Sequence, residues 1–337
     1  MSQKQLAVLG AGSWGTAVAL HLARLGACVR LWGRDRLQME AMQAQGENRR
    51  YLPGQSFPEN LQAEVDLKAV LQTVEACVIA VPSQGFRPLL TQLKSLFRSE
   101  CPILWLTKGL DPQQHEFLHE VARAILGEAF PLAILSGPTF ATEVAAGLPT
   151  AVTLAASEAK TAAYWLNCLH SAYFRVYESH DLVGIQLGGA VKDVLAIAVG
   201  LAEGLGCGAN AQAALITRGL TELRRLGVAV GAEAETLMGL SGVGDLILTC
   251  TSMQSRNRRF GVALGQGETQ EAALQKIAQV VEGRATAAEI YALAQKFKVE
   301  MPISTQVYQV LYENLAPKQA LENLLQRAPR REELNER

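Results

Sequence analysis

The apolar run Leu6-Ala7-Val8-Leu9 leads directly into Gly10-Ala11-Gly12-Ser13-Trp14-Gly15, which is followed by a helical pattern over Thr16–Leu25. A strand, a G-x-G-x-x-G turn and a helix in this order are the fingerprint of a dinucleotide-binding βαβ unit. The first glycine permits a tight turn, the second lets backbone amides approach a pyrophosphate, and the third lets the helix pack on the strand. The helix N-terminus adds positive potential for the phosphates. The stretch therefore predicts a dinucleotide cofactor bound at Gly10, Gly12 and Gly15.

The residues after the second predicted strand, Cys28–Trp32, bear on the choice of cofactor. At this point an acidic residue accepts a hydrogen bond from the ribose 2′-hydroxyl of NAD, whereas an arginine pairs with the 2′-phosphate of NADP. The chain reads Gly33-Arg34-Asp35 here. Arg34 favours NADP, Asp35 leaves NAD open, and we expect the protein to accept both cofactors.

Length and composition limit the class of protein. A chain of 337 residues is long for a single core, which predicts two domains. A net charge of −1 gives no overall basic field for nucleic acid or an anionic membrane. The six cysteines lack C-x-x-C spacing and fit reduced thiols in a reducing compartment. Because the sequence carries neither a signal peptide nor an uncharged stretch long enough to span a bilayer, we expect a cytoplasmic protein.

The pattern of the chain changes near residue 181, where short β-rich runs alternating with helices give way to Ala/Leu-rich helical segments. This change predicts the α/β class, with an N-terminal Rossmann-type doubly wound sheet followed by an all-α C-terminal domain. The predicted bounds are 1–180 for the NAD(P)-binding domain, 181–327 for the helical substrate and catalytic domain, and 328–337 for a charged tail. The later predicted strands are Cys77–Val81, Ile103–Thr107, Leu132–Leu135, Ala151–Leu154 and Phe174–Tyr177, and the main predicted helices are Phe117–Leu126, Ala159–Leu169, Asp181–Gly204 and Asn210–Leu226.

Polar residues follow two of these strands, where ligands collect in a doubly wound sheet. Lys108 comes after Thr107 and is placed to meet a phosphate or a carbonyl oxygen. The run Ser136–Thr139 offers backbone amides and a hydroxyl at the same edge, through Gly137 and Thr139. An exposed loop lysine and an ordinary helix cap remain the alternatives for these two features.

Lys192 lies inside the apolar helical stretch Gly188–Ile197. Desolvation there lowers the pKa of a lysine, which makes its ammonium a proton donor to a ketone oxygen and its amine a base in the reverse direction. Two alternatives stay open: the side chain reaches the surface, or the adjacent Asp193 neutralises it.

A second polar run, Ser255-Arg256-Asn257, lies at a predicted helix start. A hydroxyl, a guanidinium and an amide in this position suit a phosphate monoester dianion. With Arg258 and Arg259, however, the run also fits a solvated basic face. Asp245, among glycines, fits a bond to a substrate hydroxyl, a partner for Lys192, or a helix cap.

The stretch His115–His119 matches H-E-x-x-H, which on a helix places two imidazoles on one face for zinc. No third ligand is evident, and the stretch falls in a predicted crossover helix. We therefore predict no metal site and interpret these residues as polar groups on a helix surface.

Taken together, the motifs resemble the bacterial-type NAD(P)-dependent glycerol-3-phosphate dehydrogenases. The match runs nearly end to end, through Gly10–Gly15, Thr107–Leu110, Ser136–Phe140, Gly188–Lys192, Gly244–Leu246, Thr249–Thr251, Ser255–Gly261 and Val281–Gly283. The resemblance implies that the cofactor, NADP or NAD, contacts Gly10, Gly12, Ser13, Trp14, Gly15, Arg34, Lys108, Ala141, Arg256, Val280 and Glu282. It implies that the substrate contacts Lys108, Gly137, Thr139, Lys192, Asp245, Ser255, Arg256 and Asn257.

The implied reaction is the reversible reduction of dihydroxyacetone phosphate to sn-glycerol 3-phosphate, in which Lys192 exchanges the proton and Lys108 stabilises developing charge. The implied role is supply of glycerol phosphate for phospholipid synthesis. One departure matters: the family commonly has Asn after the lysine, and this chain has Asp193. An ionised Asp193 would raise the pKa of Lys192 and weaken it as a base.

Two rival functions stay open at this point. A two-domain dehydrogenase acting on a hydroxy acid would need a carboxylate anchor and no dianion site beside Lys192. A non-enzymatic NADP-sensing module would need the glycine fingerprint and no buried lysine. The sequence leaves the oligomeric state open, with a homodimer as one possibility.

Overall fold

The computed structural model describes residues 3–96 and 101–329. The chain forms two compact units, the first comprising Met1–Asp111 and Glu116–Ile185 and the second comprising Pro112–His115 and Gln186–Arg337. Of the tail predicted at 328–337, Ala328 and Pro329 are exposed and 330–337 lie outside the described residues.

The first unit is built on an eight-stranded sheet within the described ranges, in the order β3-β2-β1-β4-β5-β6-β7-β8. All neighbouring strands are parallel except β6 and β7, which pair antiparallel. The strands are β1 (Gln5–Leu9), β2 (Cys28–Trp32), β3 (Leu61–Glu64), β4 (Ala76–Ile79), β5 (Ile103–Trp105), β6 (Leu132–Ser136), β7 (Thr150–Ala156) and β8 (Phe174–Ser179). This confirms the predicted doubly wound sheet, although β3 was not predicted.

Two apolar clusters cover the two faces of the sheet. Successive residues of β1 point to opposite faces, so that Val8 joins one buried cluster and Leu9 the other. Val18 of the first helix packs in the first cluster, and Phe86 and Val121 pack in the second. The helices of this unit are α1 (Ser13–Arg24), α2 (Arg36–Gln45), α3 (Leu67–Thr73), α4 (Ser83–Leu93), α5 (Leu118–Leu126), α6 (Ala141–Ala145) and α7 (Ala159–Leu169). Because both faces are covered, the carboxyl-end edge of the parallel strands remains for ligands.

The second unit contains helices and no β-strand among its described residues. Its first helix, α8 (Leu182–Gly204), starts in the first unit and continues from Gln186 in the second. The later helices are α9 (Ala209–Ala229), α10 (Ala234–Leu237), α11 (Asp245–Thr251), α12 (Arg256–Gly265), α13 (Gln270–Ile277), α14 (Glu282–Phe297), α15 (Pro302–Tyr312) and α16 (Pro317–Leu325), with a π-helical turn over Leu240–Gly244. By length and hydropathy α8 is apolar enough to cross a membrane, but 94% of its most apolar window is buried, as in a core helix.

Glycines bring α8 and α12 into backbone contact. A Cβ at Gly200 would collide with the carbonyl oxygen of Arg258, and a Cβ at Gly261 would collide with that of Ile197. Gly204 and Gly265 repeat the arrangement one turn further along. The two helices therefore approach more closely than side chains would allow.

A buried carboxylate anchors the start of α15. Glu222 of α9 is 2% exposed and accepts hydrogen bonds from the backbone amides of Ile303 (2.6 Å) and Ser304 (3.1 Å) and from the Ser304 hydroxyl (3.0 Å). These amides belong to the first turn of α15, where helical N–H groups lack intrahelical partners. Burial raises the pKa of Glu222 to about 7, although the hydrogen bonds oppose the rise.

We expect Glu222 to make the protein less stable as pH rises. A carboxyl group whose folded-state pKa lies above the unfolded value contributes stability that is complete below the unfolded value and is lost as pH rises through the folded one. The free energy of unfolding should therefore fall by about 3 kcal/mol between acidic pH and pH above 7. In Glu222→Gln this dependence should flatten, with lower stability overall because the amide cannot accept all three hydrogen bonds. Denaturant unfolding across pH measures both effects, and an unchanged pH dependence in the variant would contradict the assignment.

Candidate functional site

The glycine loop after β1 has the geometry that the fingerprint requires. Gly10 has φ +127°, and a Cβ there would collide with the carbonyl oxygen of Ala80 after β4. A Cβ at Gly15 would collide with the carbonyl oxygen of Gly10. At Gly12, in contrast, a Cβ would meet nothing within 4 Å. The outer glycines thus serve close packing, and Gly12 leaves an open backbone surface at the N-terminus of α1.

Two amide side chains fix the orientation of this loop. The carbonyl oxygen of Ala11 accepts hydrogen bonds from Gln38 Nε2 (2.9 Å) and from the buried Asn48 Nδ2 (3.0 Å), and Asn48 also donates to Thr16 Oγ1 (2.8 Å). In a trans peptide the N–H points opposite to the carbonyl. The N–H of Gly12 therefore points away from these side chains. Sequence reasoning missed Gln38 and Asn48 because nothing in their spacing links them to the loop.

The predicted cofactor residues of α1 and α6 surround this N-terminus. Ser13 Oγ donates to the carbonyl oxygen of Tyr51 at 2.7 Å, and the half-buried Ala141 begins α6, which packs against α1. Trp14 Nε1 is buried and has no hydrogen-bond partner within the described residues. The open glycine, the first amides of α1 and this indole donor fit the phosphate and ribose oxygens of a dinucleotide.

The end of β2 separates the roles of Arg34 and Asp35. Asp35 caps α2 by accepting from the backbone amide of Gln38 (3.2 Å), and its other oxygen lies 3.3 Å from Arg50 Nη1. Arg34 is exposed and makes no side-chain hydrogen bond or ion pair within the described part of the chain. The carboxylate is thus engaged by the protein, while the guanidinium is available to a ligand.

Lys108, Gly137 and Thr139 lie together at the carboxyl ends of β5 and β6. Lys108 Nζ donates to the carbonyl oxygen of Gly137 at 3.4 Å, and Thr139 Oγ1 donates to the same oxygen at 3.1 Å. Gly137 has φ +144°, a conformation that favours glycine. The structure therefore brings the predicted residues of this edge into one cluster.

A buried ion pair closes the loop that carries Lys108. Asp111 is 1% exposed and accepts hydrogen bonds from Arg87 Nε and Nη2, both at 3.0 Å. Arg87 Nη2 also lies 3.3 Å from Glu116 Oε2. Because a bidentate guanidinium–carboxylate pair is rigid, Arg87 restricts the backbone close to Lys108. Sequence reasoning missed this pair, whose members are 24 residues apart.

Lys192 is buried in α8, with a side chain 9% exposed. Its Nζ donates to Asp245 Oδ1 at 2.9 Å and to Thr249 Oγ1 at 3.0 Å. Asp245 is therefore a partner for Lys192, one of the interpretations that the sequence left open. It is not the helix cap, because the N-cap of α11 is Gly244. The alternative that Lys192 reaches the surface is wrong. Thr249 was missed as a contact, although it follows Asp245 by one turn of α11.

The run beginning at Ser255 is divided by the start of α12. Ser255 is the N-cap, and its Oγ accepts from the backbone amide of Arg258 at 3.2 Å. Arg256, the first helical residue, is half-buried and has no side-chain partner within the described ranges, whereas Arg258 is buried and paired with Glu203 at 2.7 Å. Arg259 is exposed. The interpretation as one solvated basic face is therefore wrong for Arg258.

The remaining predicted residues lie near the start of α14. Asn257 Oδ1 accepts from the backbone amide of Gly283 at 3.0 Å, which joins α12 to α14. Glu282 is the first residue of α14 and is half-buried, and Val280 is 48% exposed. The Ser255–Asn257 run and the residues around Glu282 therefore belong to one corner of the second unit.

The H-E-x-x-H stretch is not a continuous helix, so the prediction that it falls in a crossover helix is wrong for its first half. His115 has φ +56°, and α5 begins only at Leu118. The two imidazoles therefore do not share a helix face. Within the described residues, no group of three or more His, Cys, Asp or Glu side chains is placed to hold a metal ion.

Two family models together match nearly the whole chain. The model described as the NAD-dependent glycerol-3-phosphate dehydrogenase N-terminus matches residues 5–162, and that of the C-terminus matches residues 181–322. The chain belongs to this family. The region that matches the N-terminal model of the glycerol-3-phosphate dehydrogenases includes the glycine loop and Lys108, and the region that matches the C-terminal model includes Lys192 and α12.

Curated members of the glycerol-3-phosphate dehydrogenase family are similar over nearly their full length. A protein of Nitrosococcus oceani is 54% identical over 320 residues, covering 95% of this chain and 93% of the relative, and one of Colwellia psychrerythraea is 52% identical, covering 96% and 97%. Both are named glycerol-3-phosphate dehydrogenase [NAD(P)+]. The crystal structure of the glycerol-3-phosphate dehydrogenase of Coxiella burnetii has a TM-score of 0.94 at 50% identity, covering 96% of this chain and 99% of that one.

Proposed function

We propose that the protein is an NAD(P)-dependent sn-glycerol-3-phosphate dehydrogenase, which interconverts dihydroxyacetone phosphate and sn-glycerol 3-phosphate. The observation that carries the proposal is the buried Lys192, hydrogen-bonded to Asp245 and Thr249 within a chain of this family. A lysine in an apolar helix is costly unless it is paired, and a paired, protonated amine is the group that ketone reduction requires.

The glycine loop of the first unit would hold the dinucleotide. Bound NAD(P)H supplies the hydride. The first amides of α1 would hold the pyrophosphate, and Trp14 would donate a hydrogen bond from Nε1, which no described residue accepts. The proposed cofactor contacts are Gly10, Gly12, Ser13, Trp14, Gly15, Arg34, Lys108 and Ala141 in the first unit, and Arg256, Val280 and Glu282 in the second.

The substrate phosphate requires donors that the protein does not use itself. Arg256 meets this condition at the first position of α12, where the helix N-terminus also favours an anion. The Oγ of Ser255 accepts from a backbone amide and keeps its own proton to donate, and Asn257 keeps its Nδ2. The proposed substrate contacts are these three residues with Lys192 and Asp245, and Lys108, Gly137 and Thr139 of the first unit.

Lys192 exchanges the proton. In reduction its ammonium protonates the oxygen that develops negative charge at C2, and in oxidation its amine accepts the proton of the C2 hydroxyl. Asp245 and Thr249 hold Nζ in place through both steps. Lys108 adds a positive charge that stabilises the same oxygen.

Arg34 is proposed to bind the 2′-phosphate of NADP. Replacing it in Arg34→Glu should raise the KM for NADPH about 10-fold to 100-fold, as for the loss of a hydrogen bond to a charged group, and leave the KM for NADH nearly unchanged. Arg36→Glu is the matched control, because it makes the same charge change at a residue that pairs with Glu40 at 2.7 Å. Steady-state kinetics with both cofactors measures the effect, and an unchanged KM for NADPH would refute the assignment.

Substrate comparison tests the proposed reaction against its rivals. Oxidation of NADPH or NADH should be fast with dihydroxyacetone phosphate, slow with dihydroxyacetone, and absent with 2-oxo acids. A preference for a 2-oxo acid would favour a hydroxy-acid dehydrogenase. Cofactor binding without turnover of any ketone phosphate would favour a sensing module.

The reaction supplies the glycerol phosphate backbone for phospholipid synthesis. On the sequence we also propose a cytoplasmic location, which fractionation of cells tests. We propose a homodimer, which light scattering of the purified protein tests. We propose that the functional division lies near residue 181, which separate expression of 1–180 and 181–327 tests.

A further inference from the structure

Lys192 faces a second buried carboxylate besides Asp245. Asp193 Oδ1 lies 3.6 Å from Lys192 Nζ, and the Asp193 side chain is 6% exposed. Neighbouring residues on a helix do not face each other, so adjacency in the sequence does not by itself produce this approach. The lysine side chain lies where Asp193 and Asp245 both reach its ammonium.

We propose that Asp193 is a positioning residue that holds the proton on Lys192, so that this enzyme reduces ketone over a wider pH range than it oxidises alcohol. The inference rests on the proposed function and deepens it. It assigns to Asp193 an electrostatic role in the reaction, although Asp193 itself transfers no proton.

The charges around Lys192 support this role. The side chain of Arg258, the other buried cation nearby, is 2.7 Å from Glu203, so its charge is already compensated. The ammonium of Lys192 lies between two buried carboxylates, at 3.6 Å from Asp193 and 2.9 Å from Asp245. Removing the proton from Lys192 would take away the positive charge that faces both carboxylates, which is unfavourable in a buried site.

The other titratable groups nearby do not replace this arrangement. Burial raises the pKa of the Cys250 thiol to about 12, with opposing effects of Lys192 and Asp193, so this thiol stays neutral. Helix α14 packs against α8 at Gly283, where a Cβ would meet the backbone of Asp193. The acidic residues of α14 are Glu282, the first residue of the helix, and Glu289, which adds to the rise that burial causes in the pKa of Tyr312. Helix α9 meets α8 where Gly219 faces Leu195, an uncharged contact.

The consequence for catalysis follows from the proton that each direction needs. Reduction requires the protonated lysine, and oxidation requires the free amine. The acid-side limb of kcat/KM for sn-glycerol 3-phosphate and the alkaline-side limb of kcat/KM for dihydroxyacetone phosphate therefore report the same group. An opposite charge within about 4–6 Å typically shifts such a group by about 1–3 pH units.

The test is the pair of pH profiles for the native enzyme, Asp193→Asn and Asp193→Glu. In Asp193→Asn, which removes the charge at nearly constant volume, both limbs should move together to lower pH by at least about one unit. At pH values below the acid-side limb, kcat/KM for sn-glycerol 3-phosphate should therefore be higher in Asp193→Asn than in the native enzyme, by about tenfold for each pH unit of the shift. Asp193→Glu keeps the charge, and its limbs should stay near those of the native enzyme.

Each other outcome overturns the proposal in a recognisable way. Unmoved limbs in Asp193→Asn, with or without a lower kcat, would reduce Asp193 to a structural residue. Loss of the folded state, seen by circular dichroism, would assign Asp193 to stability. A native protein without turnover in either direction would refute the proposed function itself, and the inference would fall with it before any variant is compared.

Discussion

Lys192→Arg is expected to slow turnover strongly in both directions while the protein stays folded. Arginine keeps the positive charge that Asp193 and Asp245 require, but it is effectively never deprotonated and does not supply the base. We expect kcat to fall by about 10²–10⁴-fold, the usual contribution of a positioned acid or base. Steady-state kinetics in both directions measures the loss, and cofactor titration by fluorescence should give an unchanged Kd for NADPH.

Lys192→Met separates catalysis from stability. It removes the ammonium as well as the proton, and breaking a buried ion pair by removing one partner typically costs about 3–5 kcal/mol. The melting temperature should therefore drop in Lys192→Met and drop much less in Lys192→Arg, although both lose turnover. A Lys192→Arg enzyme with nearly native kcat for sn-glycerol 3-phosphate would remove Lys192 from the proton transfer.

Gly261→Ala is expected to cause a large loss of stability. The new Cβ would meet the carbonyl oxygen of Ile197, a backbone atom inside α8 that has no free direction to move. Overpacking of this kind costs about 1–3 kcal/mol and more where backbone has to shift, so we expect at least about 3 kcal/mol. Because α12 begins with the proposed phosphate residues, the KM for dihydroxyacetone phosphate should rise as well.

Gly208→Ala is the matched control for this prediction. Gly208 precedes α9 with φ −77°, and a Cβ there would meet nothing within 4 Å. Its loss of stability should stay within about 1 kcal/mol, the usual cost of alanine at a helix N-cap. Denaturant unfolding of both variants measures the difference, and equal stabilities would contradict the close α8–α12 contact.

Local sequence patterns predicted much of the fold. The glycine fingerprint predicted β1, α1 and their connection, and the bounds of α7 were predicted as Ala159–Leu169, as observed. Strand β3 was missed because Leu61–Glu64 has only four residues, too few for its alternating pattern to stand out. The antiparallel pairing of β7 with β6 was not predicted because a strand's pattern does not record its direction.

Unusual residue types singled out the candidate site residues in the sequence, but the contacts between them could be predicted less well. Lys192 stood out because a lysine in an apolar helix is unusual, but only the structure shows it between Asp193 and Asp245. The basic run around Arg256 could not be divided from sequence, since the pairing of Arg258 depends on Glu203 in another helix. Long-range polar contacts of this kind leave no periodic signal in the chain.

The most direct test of the account is the oxidation of NADPH and of NADH by the native protein with dihydroxyacetone phosphate, followed by absorbance and by analysis of the product. The account predicts rapid oxidation with one sn-glycerol 3-phosphate formed for each cofactor consumed, and collapse of the rate in Lys192→Arg. A folded native protein that binds the cofactor and oxidises neither form would contradict the assignment.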